Sequence, residues 1–179
     1  MTSEASLLPS PAASLADDDF TLFGLPRRHA QDRADIDARW KALQAQVHPD
    51  RFVSADGAAQ QLALQWTLRV NEAYQRLKDP IARGAYLCLL NGHDVNASRA
   101  LPTSFLMQQM SWREALEEAG GTAALEKLAD EVADRRAALL RELAEHIDAR
   151  QDWPAATGCV QALMFIAKFS TDLDERLDG

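Results

Sequence analysis

Between 32 and 47 the apolar residues Ile36, Trp40, Leu43 and Val47 recur at intervals of four, three and four, a spacing that lays them along one face of a helix. Arg33, Arg39 and Lys41 fall on the opposite flank. The helix is expected to stop at His48-Pro49-Asp50-Arg51, because proline disfavours helical geometry in the residue before it. A polar loop containing Gly57 follows, and then Leu62, Trp66, Arg69-Val70, Ala73 and Leu77 mark a second long helix. Two long helices are thus joined by a loop that opens on His-Pro-Asp. Ahead of them, 20–26 is a short apolar segment closed by Gly24 and Pro26, with room for about one helical turn.

Asp79-Pro80 has the form of a cap followed by proline at the first helical position. It predicts a short helix through Ala85, Leu87, Leu89 and Leu90 that ends at Asn91-Gly92. The stretch 93–103 is polar, contains Pro102 and has no periodicity, which makes it a linker. Beyond it 105–119 is one helix, stopped by Gly120-Gly121. Thr122 is placed to cap a second helix to about 150, with Leu125, Leu128, Val132, Leu139, Leu143 and Ile147 as its inner stripe. A last helix starts at Asp152-Trp153-Pro154 and carries Val160, Leu163, Ile166, Leu173 and Leu177. The pattern predicts an all-α protein: a tail at 1–16 without a helical stripe and expected to be disordered, a helical hairpin domain at 17–92, the linker at 93–103, and a three-helix bundle at 104–179.

Composition narrows the possible roles. No run reaches the roughly 18 to 20 apolar residues of a membrane-spanning helix, and the start of the chain has no basic stretch followed by an apolar one, so a soluble globular protein, neither secreted nor membrane-inserted, is expected. Cys88 and Cys159 are far apart in apolar helical contexts and are expected to be buried reduced thiols, not a disulfide framework or a metal knuckle. The formal net charge of -8 argues against broad nucleic-acid binding. That charge is uneven: 17–92 carries ten basic and ten acidic residues, 93–179 nine and sixteen. Such asymmetry suits two surfaces with different partners as well as an ordinary acidic face.

His48-Pro49-Asp50 between two antiparallel helices, with basic residues on the first of them and Asn71-Glu72-Ala73-Tyr74 on the second, resembles the J-domain family over 20–90. The resemblance implies binding of a DnaK-type chaperone in its ATP state and stimulation of its ATP hydrolysis. Arg39, Lys41, His48, Pro49, Asp50 and Arg51 are the residues expected to meet that partner. Physically, proline pins a turn that projects His48 and Asp50 for directional polar contacts, while Arg39, Lys41 and Arg51 offer a basic flank for an acidic surface. A solvated turn in which Asp50 only caps locally is the plain alternative. His48 and Asp50 could also serve acid-base chemistry, but no further nucleophile or metal-ligand spacing accompanies them, and His29, His93 and His146 lie in unrelated segments. No enzymatic turnover, cofactor, zinc or cluster is expected.

The chain lacks the Gly/Phe-rich segment and cysteine repeats of general folding J-proteins. Over 20–177 it resembles the HscB family, the J-domain co-chaperones of bacterial iron-sulfur assembly, on the segment Phe20-Thr21-Leu22-Phe23-Gly24-Leu25-Pro26 and on Phe105-Leu106-Met107, Arg113-Glu114 and Phe165. That resemblance implies a bacterial, cytoplasmic form, with an HscA-like chaperone and an IscU-like cluster scaffold as partners. Leu106, Met107, Met110, Glu114, Glu118 and Phe165 match the family's client site in type or near-type. Ser111 stands where that site can carry an acid, and Arg51 where lysine is more usual.

Helical geometry points to the same surface. At about 100° per residue Phe105, Trp112, Leu116 and Ala119 share one arc, while Leu106, Met107 and Met110 fall among Glu114, Glu117 and Glu118, where a surface helix should be polar. Phe165 lies about 200° around from Leu163. Leu106, Met107 and Phe165 are expected to form one exposed apolar patch. The alternatives are packing of this stripe on another part of the chain, a J-protein with a different client, or a helical interaction module without chaperone activity.

Overall fold

A computed structural model describes residues 13–97 and 101–179. The first twelve positions of the expected tail and positions 98–100 of the expected linker lie outside the described residues. The helices in chain order are α1 (Asp19–Phe23), α2 (Arg33–Val47), α3 (Gly57–Lys78), α4 (Pro80–Leu90), α5 (Thr103–Glu118), α6 (Thr122–Ala144) and α7 (Trp153–Asp178), and no strand occurs among the described residues. A 3-10 turn, Pro49–Phe52, follows α2, and a π-helical turn, Glu145–Arg150, extends α6. No helix among the described residues is long and apolar enough to cross a membrane.

The chain divides into two compact units between Arg83 and Gly84, inside α4. In the first unit the α2–α3 hairpin buries Ile36, Leu43, Val47, Trp66, Val70, Ala73 and Leu77, and α1 adds Phe20. Asp18 caps α1 by accepting from the Phe20 and Thr21 amides. Gly24 ends it at φ 63°, a left-handed conformation that glycine adopts without the usual penalty. Asp17 and Asp19 also have structural tasks. Asp17 accepts from the Ser14 amide at 2.8 Å, while the carbonyls of Leu15 and Asp17 accept from Arg69, so positions 14–17 are held to α3.

Asp19 is fully buried. Arg76 reaches its carboxylate through Nε at 2.6 Å and Nη2 at 2.8 Å, and Arg69 Nη1 lies 2.8 Å away. Two cations from α3 therefore hold one acid from α1 where the carboxylate could not stand unpaired. Arg83 closes the far end of this unit, donating to the carbonyls of His29 and Leu77.

The Asp18 cap has an acid limit. Burial pushes its carboxyl up, but hydrogen bonds from Arg27 and Thr21 outweigh burial and hold it down from 3.8 to about 2. A carboxylate whose folded value lies below its unfolded one adds stability above the unfolded value and loses it as pH falls through the folded one. The wild-type urea midpoint should therefore fall more steeply than that of Asp18→Asn as pH drops from 3.8 toward about 2. Parallel midpoints across that window would remove Asp18 from the acid response.

In the second unit α5, α6 and α7 form the expected bundle, and residues 84–97 join it. The expected hairpin domain ran to 92, whereas the division lies earlier because Gly84 sits against α6 and α7: a Cβ there would meet Leu143 Cδ2 at 2.8 Å and Val160 Cγ2 at 3.3 Å. Leu87, Cys88 and Val95 are buried, and Gln161 donates to the Val95 carbonyl at 2.9 Å. Asp79 caps α4 through the Ile81 amide at 2.9 Å. The expected Thr122 cap is corrected: Gly121 holds the cap position, and no side chain bonds the free amides there.

The bundle core contains Leu125, Leu128, Val132, Leu139, Leu143, Ile147, Val160, Leu163, Ile166 and Leu173. An aromatic row runs beside it. Phe105 meets Trp112 and Phe165 edge-on, while Phe169 stacks on both Trp112 and Phe165. Cys88 and Cys159 are buried free thiols, each raised above the usual thiol range chiefly by desolvation; that environment disfavours the reactive thiolate.

Candidate functional site

The first candidate site is the loop between α2 and α3. Pro49 excludes helical geometry at His48, whose backbone sits at φ -58°, ψ 129°. The chain then turns through the 3-10 segment, with the Arg51 amide donating to the His48 carbonyl at 3.0 Å. The Asp50 amide donates to His48 Nδ1 at 3.3 Å. An acceptor role at Nδ1 assigns the ring proton of the neutral imidazole to Nε2. Asp50 Oδ2 lies 3.6 Å from Nδ1. The side chains of His48 and Asp50 keep 53% and 86% of their surface in solvent, so the turn displays an imidazole oriented by the Asp50 amide beside an exposed carboxylate.

The expected basic flank has two kinds of member. Lys41 is exposed on α2. Arg39, by contrast, pairs with Asp35 at 2.9 Å and donates to the carbonyls of Phe23 and Gly24 at 3.0 Å each. Arg51 is exposed, yet its Nη1 donates to the carbonyls of Ala45 and Gln46, which end α2 and carry the negative pole of the helix. Arg39 thus ties α1 to α2, and Arg51 ties the loop to the helix that precedes it.

A further group ties α2 to α3. Trp40 of α2 stacks on Tyr74 of α3 with centroids 4.6 Å apart. The Tyr74 hydroxyl donates to Asp37 at 2.9 Å, and Lys78 Nζ stands 4.9 Å from the ring centroid. Asn71 Oδ1 accepts from both Trp40 Nε1 and Gln44 Nε2. Cation, ring stack and amide bonds lock the two helices in register. The Asn71-to-Tyr74 motif was visible in the sequence, but its partners Asp37, Trp40 and Gln44 come from a different helix.

The second candidate site lies on the bundle. Leu106, Met107 and Met110 of α5 are 44%, 67% and 64% exposed, and Met164 of α7 is 47% exposed. Glu114 and Glu118 are exposed on the same helix as the first three. The expected exposure of Phe165 is corrected. It is half-buried, held between Phe105 and Phe169, with Arg113 Cζ 5.7 Å from its ring centroid. Met164 takes the exposed place on α7 instead; the sequence signal for it was a methionine next to a core leucine. No group of three or more His, Cys, Asp or Glu side chains able to hold a metal occurs among the described residues.

Residues 101–174 match the family model described as the HSCB C-terminal oligomerisation domain. The co-chaperone protein HscB homolog of Burkholderia mallei (strain SAVP1) is 44% identical over 170 residues, spanning 92% of this chain and 97% of that protein. The chain belongs to the HscB family of co-chaperones. The family's homolog from Bordetella petrii is likewise 44% identical, over 88% of this chain and 95% of its own length. Among solved structures, chaperone HscB from Vibrio cholerae is 34% identical, with a TM-score of 0.80 over 90% of this chain and 98% of that one. Human co-chaperone HscB shares the fold, with a TM-score of 0.85 at 23% identity over 92% of this chain and 84% of its own. In this family setting the His-Pro-Asp turn between α2 and α3 identifies the first helical region as a J-domain.

Proposed function

We propose that this chain is an adaptor that stimulates ATP hydrolysis by a DnaK-type, HscA-like chaperone and delivers to it an IscU-like iron-sulfur scaffold, aiding cluster maturation and transfer. The J-domain, taken as 17–92, meets the chaperone through the His48-Pro49-Asp50 turn, with Lys41 exposed beside it and Arg39 and Arg51 holding the turn's supports. The bundle, taken as 104–179, meets the scaffold through Leu106, Met107 and Met110, with Glu114 and Glu118 at the rim and Phe165 as backing. Hydrolysis takes place on the chaperone, in the bacterial cytoplasm, and the adaptor supplies no cofactor.

The observation that carries this reading is the pairing, in one chain, of a solvent-displayed His48–Asp50 turn with an exposed methionine and leucine patch on the other unit. Replacing His48 by Gln should reduce stimulation of the chaperone's ATPase to background and leave the circular dichroism spectrum unchanged, because exposed substitutions move stability by about 0.5 kcal/mol or less. Stimulation that survives in both His48→Gln and Asp50→Asn would end the J-domain part of the reading.

The matched family model is described by oligomerisation, and this favours a second occupant for the patch, another copy of the chain. Sedimentation separates the two. On the second reading Leu106→Ala with Met107→Ala turns an oligomer into a monomer while scaffold affinity is kept.

A further inference from the structure

Two glycines lie inside helices of the second unit, and only one has a packing reason. Gly84 is needed because a Cβ would strike Leu143. At Gly158, inside α7, an added Cβ would meet nothing within 4 Å, although glycine there weakens the helix relative to alanine. Gly158 opens onto a pocket of about 270 Å³ bordered by α5, α6 and α7. The π-helical turn that ends α6 also borders it, through His146, and is followed by Gln151 at φ 52°. Single π turns recur at functional sites, and left-handed non-glycine residues persist only where the surroundings hold them. A helix-weakening glycine and the end of a π-helical turn thus border the same space.

Its lining defines what fits. Phe105, Leu139 and Ala162 give apolar walls, and Arg135 and Glu142 stand at the edge, where Arg135 Nη1 donates to Glu142 Oε1 at 2.8 Å and both remain partly exposed. An ion pair of this kind presents N–H donors beside carboxylate acceptors and has no net charge, which suits the C=O and N–H of a peptide group rather than a phosphate. The volume lies below the roughly 300 to 1,000 Å³ of pockets for drug-sized ligands and suits a single side chain. Phe105 joins the pocket to the apolar patch: its ring packs on Phe165, and Leu106 and Met107 follow it in α5.

We propose that this pocket receives one apolar side chain, with its peptide group against Arg135 and Glu142, from the same client that docks on Leu106, Met107 and Met110. This rests on the client reading above. The test uses the full chain, labelled for amide NMR, with N-acetyl-leucinamide as the probe and N-acetyl-glycinamide as its control. The leucine probe should give saturable shifts at Phe105, Leu139 and Gly158, the glycine control none, and Gly158→Leu, which fills the pocket, should abolish them where Gly158→Ala does not. Gly158→Leu should also weaken the scaffold complex by roughly tenfold, with Gly158→Met as a second filling variant and a cooperative thermal transition as the folding check. If Met107→Ala weakens the scaffold complex while both filling variants bind like wild type, the pocket proposal is overturned and the client reading stands. If neither Met107→Ala nor the filling variants alter scaffold binding, the client reading fails and takes this occupant with it.

Discussion

Alanine at both Leu106 and Met107 is expected to weaken the scaffold complex by on the order of a hundredfold or more, since central interface anchors contribute about 1 to 3 kcal/mol each and about 1.4 kcal/mol is a factor of ten. The same double variant should keep its thermal transition, because Met107 stands largely in solvent and Leu106 nearly half so, and truncations at such exposed positions usually move stability by about 0.5 kcal/mol. Isothermal titration against the scaffold, with a melt of each variant, reads both quantities. Phe165 is excluded from this variant for a physical reason. Its ring supports Phe105 and Phe169, so Phe165→Ala would open a cavity and mix lost binding with a folding loss of about 2 kcal/mol or more. Met110→Ala is the cleaner third member, being exposed and one helical turn from Leu106.

The other large effect belongs to the buried ion cluster of the J-domain. Asp19→Ala is expected to lower the stability of that unit by on the order of 3 kcal/mol, because removing one partner of a buried pair strands the other charge. Arg76 and Arg69 keep 32% and 14% of their side-chain surface in solvent, so they rehydrate in part, and the lower end of the usual range of about 3 to 5 kcal/mol applies. Urea unfolding followed by circular dichroism measures the loss. A shift below about 1 kcal/mol would mean that desolvation of the three groups already cancels their attraction in the native state. Asp19→Asn should fall between the wild type and Asp19→Ala, since its amide still accepts one bond from Arg76.

Much of the fold could be read from periodicity alone, and the misreadings have identifiable causes. Apart from half-buried Trp40, the stripes at Ile36 to Val47 and Leu125 to Ile147 end on buried positions because a 3.6-residue period reports which way each Cβ points. The same rule placed Phe165 outward, and its backbone direction is indeed far from that of Leu163. What brought the ring half inside was reach: Phe105 and Arg113 from α5 close over a side chain large enough to meet them. A wheel describes one helix and carries nothing of its neighbours.

The run Asp17-Asp18-Asp19 looks like solvated acid in the sequence. Its members are a turn acceptor, a helix cap and a buried counter-ion, and the last depends on arginines supplied by α3. Arg39 shows the converse, because a charge on the outer flank of α2 fits a partner surface equally well until the carbonyls of Phe23 and Gly24 arrive to bind it. The π-helical turn after α6 had no pattern that periodicity could register. The candidate sites were legible to a greater depth than these supports: proline's effect on His48 and the wrong-side placement of Leu106, Met107 and Met110 are both local properties of the chain.

The adaptor account stands or falls on the two units acting through one chaperone cycle. Its most direct test is single-turnover ATP hydrolysis by the DnaK-type chaperone with and without the scaffold, in the presence of wild type, His48→Gln, or Leu106→Ala with Met107→Ala. Wild type should stimulate alone and further with scaffold. His48→Gln should do neither, and the patch variant should keep the first increment and lose the second. A scaffold-dependent increment that persists undiminished in the patch variant would contradict delivery through the bundle.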